Sequence, residues 1–148
     1  MPISVKNIIV GELATNCYLL ESGIIIDPGA EPEKIIVEIE KNDFEPSKII
    51  LTHSHFDHIA AVPNLVERYG IPVIAHVKAK TLLNNPDMNL SSFFGLPISI
   101  NVDHFITDGQ EIEAGNSTLT IIHTPGHSSC SISLYNQDFL FSGDTLFA

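Results

Sequence analysis

The stretch "LTHSHFDHIAAV", residues 51–62, places three histidines and one aspartate within the six positions 53–58. It joins two segments of different character. The preceding "SKIILT", 47–52, is a short run of apolar and β-branched residues, which is typical of a buried strand. The following "IAAVPNLVERYG", 59–70, has the apolar spacing of a helix that ends at Gly70. The sequence therefore predicts a strand, a histidine-rich loop and a helix in succession.

The loop has the residue types and the spacing of a metal site. Side chains two positions apart on an extended segment point the same way, so we expect His53 and His55 to face one ion. Asp57 and His58 lie where the helix begins and can address a second position. Imidazole and carboxylate ligands suit zinc, iron or manganese, and neither the ligand softness nor the spacing chooses among these metals. Because one loop seldom supplies a whole site, further ligands are expected from elsewhere in the chain.

Two later stretches offer such ligands. "HTPGHSS", 123–129, places His127 after a Pro-Gly turn at the end of a predicted strand. "FSGDTLF", 141–147, places Asp144 after a glycine in the same situation. Either residue alone is typical of an ordinary turn. Together with the first cluster, they predict loops that converge on one site.

The rest of the chain separates into two patterns. In its first part, "ISVKNIIV", "NCYLLE" and "GIIID" predict a three-stranded meander, after which strands alternate with helices, the first beginning at Pro32. Residues 84–101 show no clear period and predict a long loop near the site. From His104 onward the pattern is one of consecutive strands. No repeat or linker is found, so we expect one domain whose sheets carry helices on the outside.

Taken in order, H-x-H-x-D-H, "TPGH" and "SGDT" resemble the signature of the metallo-β-lactamase superfamily of hydrolases. "TNCYL" at 15–19, "IIIDPGA" at 24–30 and "NLSS" at 89–92 are similar to its glyoxalase II-like, or hydroxyacylglutathione hydrolase, branch. The resemblance covers the whole chain. It implies an α/β fold, the four-layer αβ/βα sandwich of this superfamily, with two metals at the edges of the sheets.

The resemblance also implies a role for each motif residue. The assigned ligands are His53, His55 and His127 for the first metal, Asp57 and His58 for the second, and Asp144 as the bridge between them. The implied cofactors are two divalent metals, zinc first, with iron or manganese as alternatives. They would clamp a substrate carbonyl and lower the pKa of a shared water, whose hydroxide attacks an acyl thioester. Asp57 is the expected acid–base residue, and no serine or cysteine nucleophile is needed.

The chain departs from the family pattern after its last motif. Family members continue beyond "GDT" to one more histidine on the second metal, whereas this sequence stops at Ala148. We therefore expect a single domain, 1–148, that lacks the family's final C-terminal segment and has an incomplete second metal site. Loss of that segment should also expose an apolar sheet edge through which the chain can self-associate.

Three functions are compatible with these residues. The first is a metal-dependent hydrolase of small-molecule acyl thioesters, although few basic residues are present to hold the carboxylates of glutathione. The second is a mononuclear iron dioxygenase acting on persulfides, because relatives of that kind use two histidines and one aspartate. The third is a metal-binding fragment with impaired catalysis. Zinc with thiol release would favour the first function, and iron with oxygen uptake would favour the second.

The composition limits which binding partners and which cellular location we expect for this protein. Seven basic against eighteen acidic residues give a net charge of −11, so nucleic acid would be repelled. No apolar run is long enough to cross a bilayer, and the N-terminus has no secretory signal. Cys17 and Cys130 are expected to be free thiols in a reducing cytoplasm. We therefore expect a cytoplasmic protein with a small-molecule substrate and with no nucleic-acid or membrane partner.

Several other residues are open to two interpretations. Asp27 caps the "DPGA" turn or supports the histidine loop from behind, and the Thr52 hydroxyl is a candidate for orienting a ligand. His76 and His104 are expected to be strand-end or surface histidines. The Phe93–Phe94 pair lines a substrate entrance or packs in the core.

Overall fold

The computed structural model of the chain describes residues 5–87, 89, 91, 98–114, 117–124, 132–136, 140–141 and 146–147. Within these residues two β-sheets pack face to face, and helices cover the other face of the first sheet. This is the layered α/β architecture that the motifs predict. The Phe93–Phe94 pair lies outside the described residues, so its role stays open.

The first sheet has six strands in chain order, β1-β2-β3-β4-β5-β6. Their bounds are Val5–Val10, Thr15–Leu20, Ile24–Ile26, Lys48–Ile50, Val73–His76 and His104–Ile106. β1, β2 and β3 form the predicted antiparallel meander, whereas β3, β4, β5 and β6 are parallel. Because parallel strands end at the same edge of a sheet, the loops after β3, β4 and β5 are neighbours.

The second sheet has five antiparallel strands in the order β11-β10-β9-β8-β7. From β7 to β11 their bounds are Glu111–Ala114, Ser117–His123, Ile132–Tyr135, Leu140–Phe141 and Leu146–Phe147. The first four lie within the segments that the sequence predicts as strands. β11 was not predicted, because two residues are too few to show a period.

The described residues contain four α-helices, α1 to α4, with bounds Pro32–Lys41, Phe56–Ile59, Val62–Tyr69 and Lys80–Asn84. Short 3-10 helices span Glu21–Gly23 and Val77–Ala79. None of these helices is both long and apolar enough to cross a bilayer.

The helix predicted over 59–70 is present as α3, but it begins only at Val62, because Ile59 ends the separate helix α2. Pro63 lies in the first turn of α3, where its missing N–H costs nothing. In one continuous helix its ring would clash with the carbonyl of Ile59, so the chain breaks between α2 and α3. The predicted end at Gly70 is confirmed, since this residue caps α3 with a φ of +62°.

Two hydrophobic clusters hold the layers together. One lies between the helices and the first sheet and includes Ile25, Ile35 and Leu65. The other lies between the two sheets and includes Ile26 and Ile121. Successive residues of β3 therefore belong to different clusters, and the strand is buried on both faces. The chain that leaves the end of β3 starts from a rigid position.

Candidate metal centre

Asp27, the first residue after β3, lies at the base of the site. Its φ of +51° is in the left-handed region, which aspartate adopts more readily than most residues. Its N–H donates to the Ile50 carbonyl of the neighbouring strand β4 at 3.2 Å. The carboxylate is fully buried. The chain thus turns directly after the strand and leaves a buried carboxylate beside the loop that follows β4.

Both oxygens of Asp27 accept hydrogen bonds from the histidine loop. The Thr52 N–H donates to Oδ1 at 2.8 Å, and the Thr52 hydroxyl donates to Oδ2. The His58 ring also contacts Oδ2, at 3.0 Å from Nδ1. Asp27 therefore supports the histidine loop from behind, the second of the two roles left open by the sequence. Because both oxygens are engaged by protein donors, we interpret Asp27 as a supporting residue and not as a direct ligand.

These contacts determine the tautomers of two histidines. A carboxylate only accepts, so His58 carries its proton on Nδ1 and its lone pair on Nε2. The one hydroxyl proton of Thr52 goes to Asp27, so Thr52 Oγ1 accepts from Nδ1 of His53 at 3.0 Å. His53 then carries its lone pair on Nε2 as well. One buried carboxylate thereby leaves Nε2 as the acceptor nitrogen of two imidazoles, directly for His58 and through Thr52 for His53.

Among the predicted ligands that the structure describes, His53, Asp57 and His58 lie close together. The rings of His53 and His58 stack with their centroids 4.6 Å apart, and Nε2 of His58 lies 3.5 Å from Oδ2 of Asp57. Candidate ligand atoms of Asp27, His53 and His58 all lie within 4.8 Å of one another. Imidazole nitrogens in the ligand tautomer beside a carboxylate are a donor set that suits a divalent metal. The residues present therefore fit the metal that the motifs imply.

Thr15 is a contact of the site that the sequence analysis missed. It is buried at the start of β2, and its hydroxyl donates to Oδ2 of Asp57 at 3.4 Å. This contact helps to orient the Asp57 carboxylate. The sequence signal for this contact is "TNCYL", in which Thr15 is the first residue of β2.

Gly29 allows the segment after β3 to approach α2 closely. A Cβ at this position would lie 1.9 Å from the carbonyl oxygen of Asp57 and 3.2 Å from Cγ2 of Thr15. No side chain fits in that space. The "DPGA" segment therefore sets the position of α2, and with it the positions of Asp57 and His58.

His55 lies between the strand and α2, as the N-cap of that helix. Its backbone is extended, with φ −76° and ψ 155°, and its carbonyl accepts from the His58 N–H at 3.0 Å. The next residue, Phe56, donates its N–H to the Asn89 carbonyl at 2.8 Å. The long loop predicted over 84–101 thus contacts the site at Asn89. The metal-ligand role of His55 remains a prediction.

His127 and Asp144 lie outside the described residues, and their ligand roles also remain predictions. The strands that lead to them, β8 and β10, run in the same direction, because each is antiparallel to β9. At the edge toward which they run, the Ile132 N–H donates to the Thr52 carbonyl at 3.0 Å. The second sheet therefore contacts the histidine loop at the edge where both motifs begin.

Cys17 takes no part in the chemistry of the site. It is fully buried in β2, and burial raises the pKa of its thiol well above the ordinary range. The negative charge of Asp27 raises this pKa further. A buried thiol that stays protonated is a poor nucleophile. Cys17 is the free thiol that the sequence predicts, whereas Cys130 lies outside the described residues.

A second pair of histidines joins the two sheets. His76 is buried at the end of β5, and its ring stacks on that of His123 at the end of β8, with centroids 4.1 Å apart. Nδ1 of His76 accepts from the Lys78 N–H at 3.1 Å. Burial lowers the pKa of His76, the charges of His123 and Lys78 lower it further, and Asp108 opposes them. His76 is thus the strand-end histidine that the sequence predicts, and His104 is exposed at the start of β6.

We expect the free energy of unfolding to fall as the pH drops below about 6.5, the ordinary pKa of histidine. Because the pKa of His76 is lowered in the folded state, the unfolded chain binds this proton first, and acid favours unfolding. In His76→Asn, the amide oxygen can still accept from Lys78. This variant should make the pH dependence shallower between pH 7 and 5, by at most about 1.4 kcal/mol per pH unit. Urea unfolding of both proteins measures the effect, and equal slopes would contradict it.

The two-sheet fold and the group of Asp27, His53 and His58, which could hold a metal ion, are features of the metallo-hydrolase class. Residues 10–148 match the sequence profile of the metallo-beta-lactamase superfamily. This chain therefore belongs to the metallo-β-lactamase superfamily. The predicted α/β sandwich fold is confirmed.

The particular relatives agree on the fold and the metal-dependent class. Probable metallo-hydrolase YqgX of Bacillus subtilis is 38% identical over 93% of this chain and 69% of its own length. The hydroxyacylglutathione hydrolase GloC of Haemophilus influenzae is 29% identical over 98% and 73%. The crystal structure of BLEG-1 B3 metallo-beta-lactamase has a TM-score of 0.87 and 39% identity over 98% and 74%. TTHA1623 in a di-iron-bound form has a TM-score of 0.81 and 35% identity over 97% and 74%.

Proposed function

We propose that this protein hydrolyses small-molecule acyl thioesters in the manner of the glyoxalase II-like branch. The observation that carries the proposal is the cluster of His53, Asp57 and His58, with both imidazoles in the ligand tautomer. The similarity to GloC and the "IIIDPGA" motif support thioesters as the substrate class. The net charge of −11 favours a small molecule over nucleic acid.

The proposed ligands are the six motif residues, namely His53, His55 and His127 for one metal, Asp57 and His58 for the other, and Asp144 between them. A divalent metal bound there supplies a Lewis acid and a coordinated water of lowered pKa. Asp57 is our candidate general base, because its carboxylate is partly exposed and is oriented by Thr15. His53 and His58 keep their Nδ1 protons on Thr52 and Asp27, so they hold their orientation throughout.

We propose zinc as the resident metal. Iron is the alternative, and the di-iron form of TTHA1623 supports it. The metal bears on the function, because a persulfide dioxygenase needs iron and consumes oxygen, whereas thioester hydrolysis needs neither. Measuring metal content together with both reactions therefore separates the two candidate functions.

Purified protein loaded with zinc is expected to release thiol from S-acyl thiols, measured colorimetrically. His55→Ala should weaken metal binding at least about tenfold, because loss of a ligand costs no less than loss of an outer partner. Thiol release should fall with it. The matched control is His104→Ala, which removes an exposed histidine and should leave both properties unchanged.

Equal metal content in wild type and His55→Ala would refute the ligand assignment. Oxygen uptake with a persulfide by the iron-loaded protein, without thiol release, would favour the dioxygenase. Because BLEG-1 is a B3 metallo-beta-lactamase, a β-lactam should be assayed in parallel. Faster hydrolysis of the β-lactam than of every thioester would overturn the proposal.

A further inference from the structure

A cavity of about 390 Å³ opens beside the candidate metal centre. One wall is the turn between β1 and β2, residues 10–13, and the other is formed by Gly29–Ala30 and Phe56–Asp57. The volume falls within the range of small-molecule sites. Because Asp57 belongs to both the cavity and the candidate metal centre, a molecule bound in the cavity lies next to that centre.

The lining of this cavity is mostly apolar, and its polar side chains are those of Thr15 and two carboxylates. Val10, Leu13, Ala30 and Phe56 contribute hydrocarbon, and the charged side chains are Glu12 and Asp57. No lysine, arginine or histidine is among the described residues that line it. With Asp57 engaged by a metal, the Glu12 carboxylate would still disfavour a carboxylate or phosphate group, whereas an uncharged apolar group would gain from leaving water.

Leu13 is the largest exposed apolar side chain of this lining, and 60% of its surface is accessible. One exposed leucine is ordinary, but the turn that carries this one is held in place. The Gly11 N–H donates to Oε2 of Glu31 at 2.8 Å, and Lys34 Nζ donates to the Ile9 carbonyl at 2.6 Å. Glu31 directly precedes α1, and Lys34 lies near the start of this helix. The wall is therefore preformed, and little ordering is lost when a ligand covers Leu13.

We infer that this cavity binds an uncharged, apolar substituent of the thioester and that Leu13 determines the preferred length of that substituent. The inference rests on the proposed thioester hydrolysis and narrows its substrate class. It also disfavours glutathione thioesters, whose carboxylates would meet Glu12. The substituent belongs either to the acyl group or to the thiol, and the two have the same chemistry in the cavity.

The test uses the zinc-loaded chain and uncharged ketone analogues of N-acetylcysteamine thioesters, in which a methylene replaces the sulfur. One series lengthens the acyl side from acetyl to octanoyl, and the other lengthens the thiol side. We expect the affinity in one series to rise about fourfold per methylene until the cavity is filled, since a buried methylene contributes about 0.8 kcal/mol. Leu13→Asn should flatten this dependence, and Leu13→Met should keep it. Titration calorimetry measures both, and the responding series identifies the side that enters.

Flat affinities in both series would overturn the inference, and so would an unchanged length dependence in Leu13→Asn. If short and long thioesters were turned over equally and the analogues bound with equal affinity, the proposed hydrolysis would be retained and the proposed role of the cavity would be refuted. Length-dependent binding of the analogues without turnover of the matching thioesters would keep the pocket and refute the hydrolase. The two failures are thereby distinguished.

Discussion

Replacing Asp27 with alanine should lower the free energy of unfolding by about 4 kcal/mol and weaken metal binding at least roughly 100-fold. The change leaves the N–H and hydroxyl of Thr52 and Nδ1–H of His58 without their acceptor in a fully buried place. Each such group costs about 1–3 kcal/mol. Loss of an outer partner typically weakens metal binding by about 10–100-fold, and Asp27 supports two histidines at once.

Asp27→Asn separates the support of the ligands from the stability of the fold. Asparagine also tolerates the left-handed backbone, and its Oδ1 can still accept from the Thr52 N–H. Its amide NH₂ donates where the carboxylate accepted, which favours the His58 tautomer with the lone pair on Nδ1. We therefore expect a smaller loss of stability than in Asp27→Ala but a comparable loss of metal affinity.

Urea unfolding, metal titration and the nitrogen chemical shifts of the His58 ring measure the three effects of the Asp27 variants. The decisive comparison is between the tautomer of His58 and the metal affinity, each measured in wild type and in Asp27→Asn. If Asp27→Asn binds metal as tightly as wild type, Asp27 does not act by setting the tautomer of His58.

Gly29→Ala should cost about 2–4 kcal/mol of stability and also remove metal from the position that Asp57 and His58 address. The added Cβ would lie 1.9 Å from the carbonyl oxygen and 2.9 Å from the carbonyl carbon of Asp57. Both atoms are backbone, so no side chain can rotate away to relieve the contact. The clash is relieved only if α2 moves, and Asp57 and His58 move with it. Urea unfolding and metal stoichiometry report the two consequences.

Two other glycines provide matched controls. A Cβ on Gly23 would lie 2.0 Å from the Glu45 carbonyl oxygen, but Gly23 precedes β3, at the end of the strand opposite Asp27. Gly23→Ala should therefore lose stability while the metal stoichiometry is kept. Gly70 has open space around it and a φ of +62°, so Gly70→Ala should cost only about 1–2 kcal/mol of backbone strain. Gly29→Ala with wild-type stoichiometry would show that the segment after β3 does not position the site.

Much of the local structure follows from the sequence. The meander before Asp27, the helix that begins at Pro32 and the strands from His104 onward were predicted from short-range patterns. Each pattern involves only residues within one turn or one strand, so the spacing of apolar residues alone indicates the local structure. The helix predicted over 59–70 begins later than predicted, at Val62, for a reason that is also local, the ring of Pro63.

Part of the site was predictable for a similar reason. His53, His55, Asp57 and His58 lie within six positions, so their proximity is a property of the chain itself. The structure brings His53, Asp57 and His58 together as the motif indicates. His127 and Asp144 were assigned by family resemblance alone, because nothing local relates them to the first motif. Their assignment remains a prediction.

The sequence by itself determined the superfamily, the order of most strands and helices, and the proximity of the candidate metal ligands in the histidine loop. Only the tertiary structure decided which residues support and surround that cluster. Asp27 contacts Thr52 across 25 positions and Thr15 contacts Asp57 across 42, so neither contact leaves a periodic trace. Both exist because the sheet aligns the ends of β3 and β4 and brings β2 alongside. The cavity at Leu13 likewise arises where a turn, a glycine segment and α2 meet, which requires the packed core to hold all three in place.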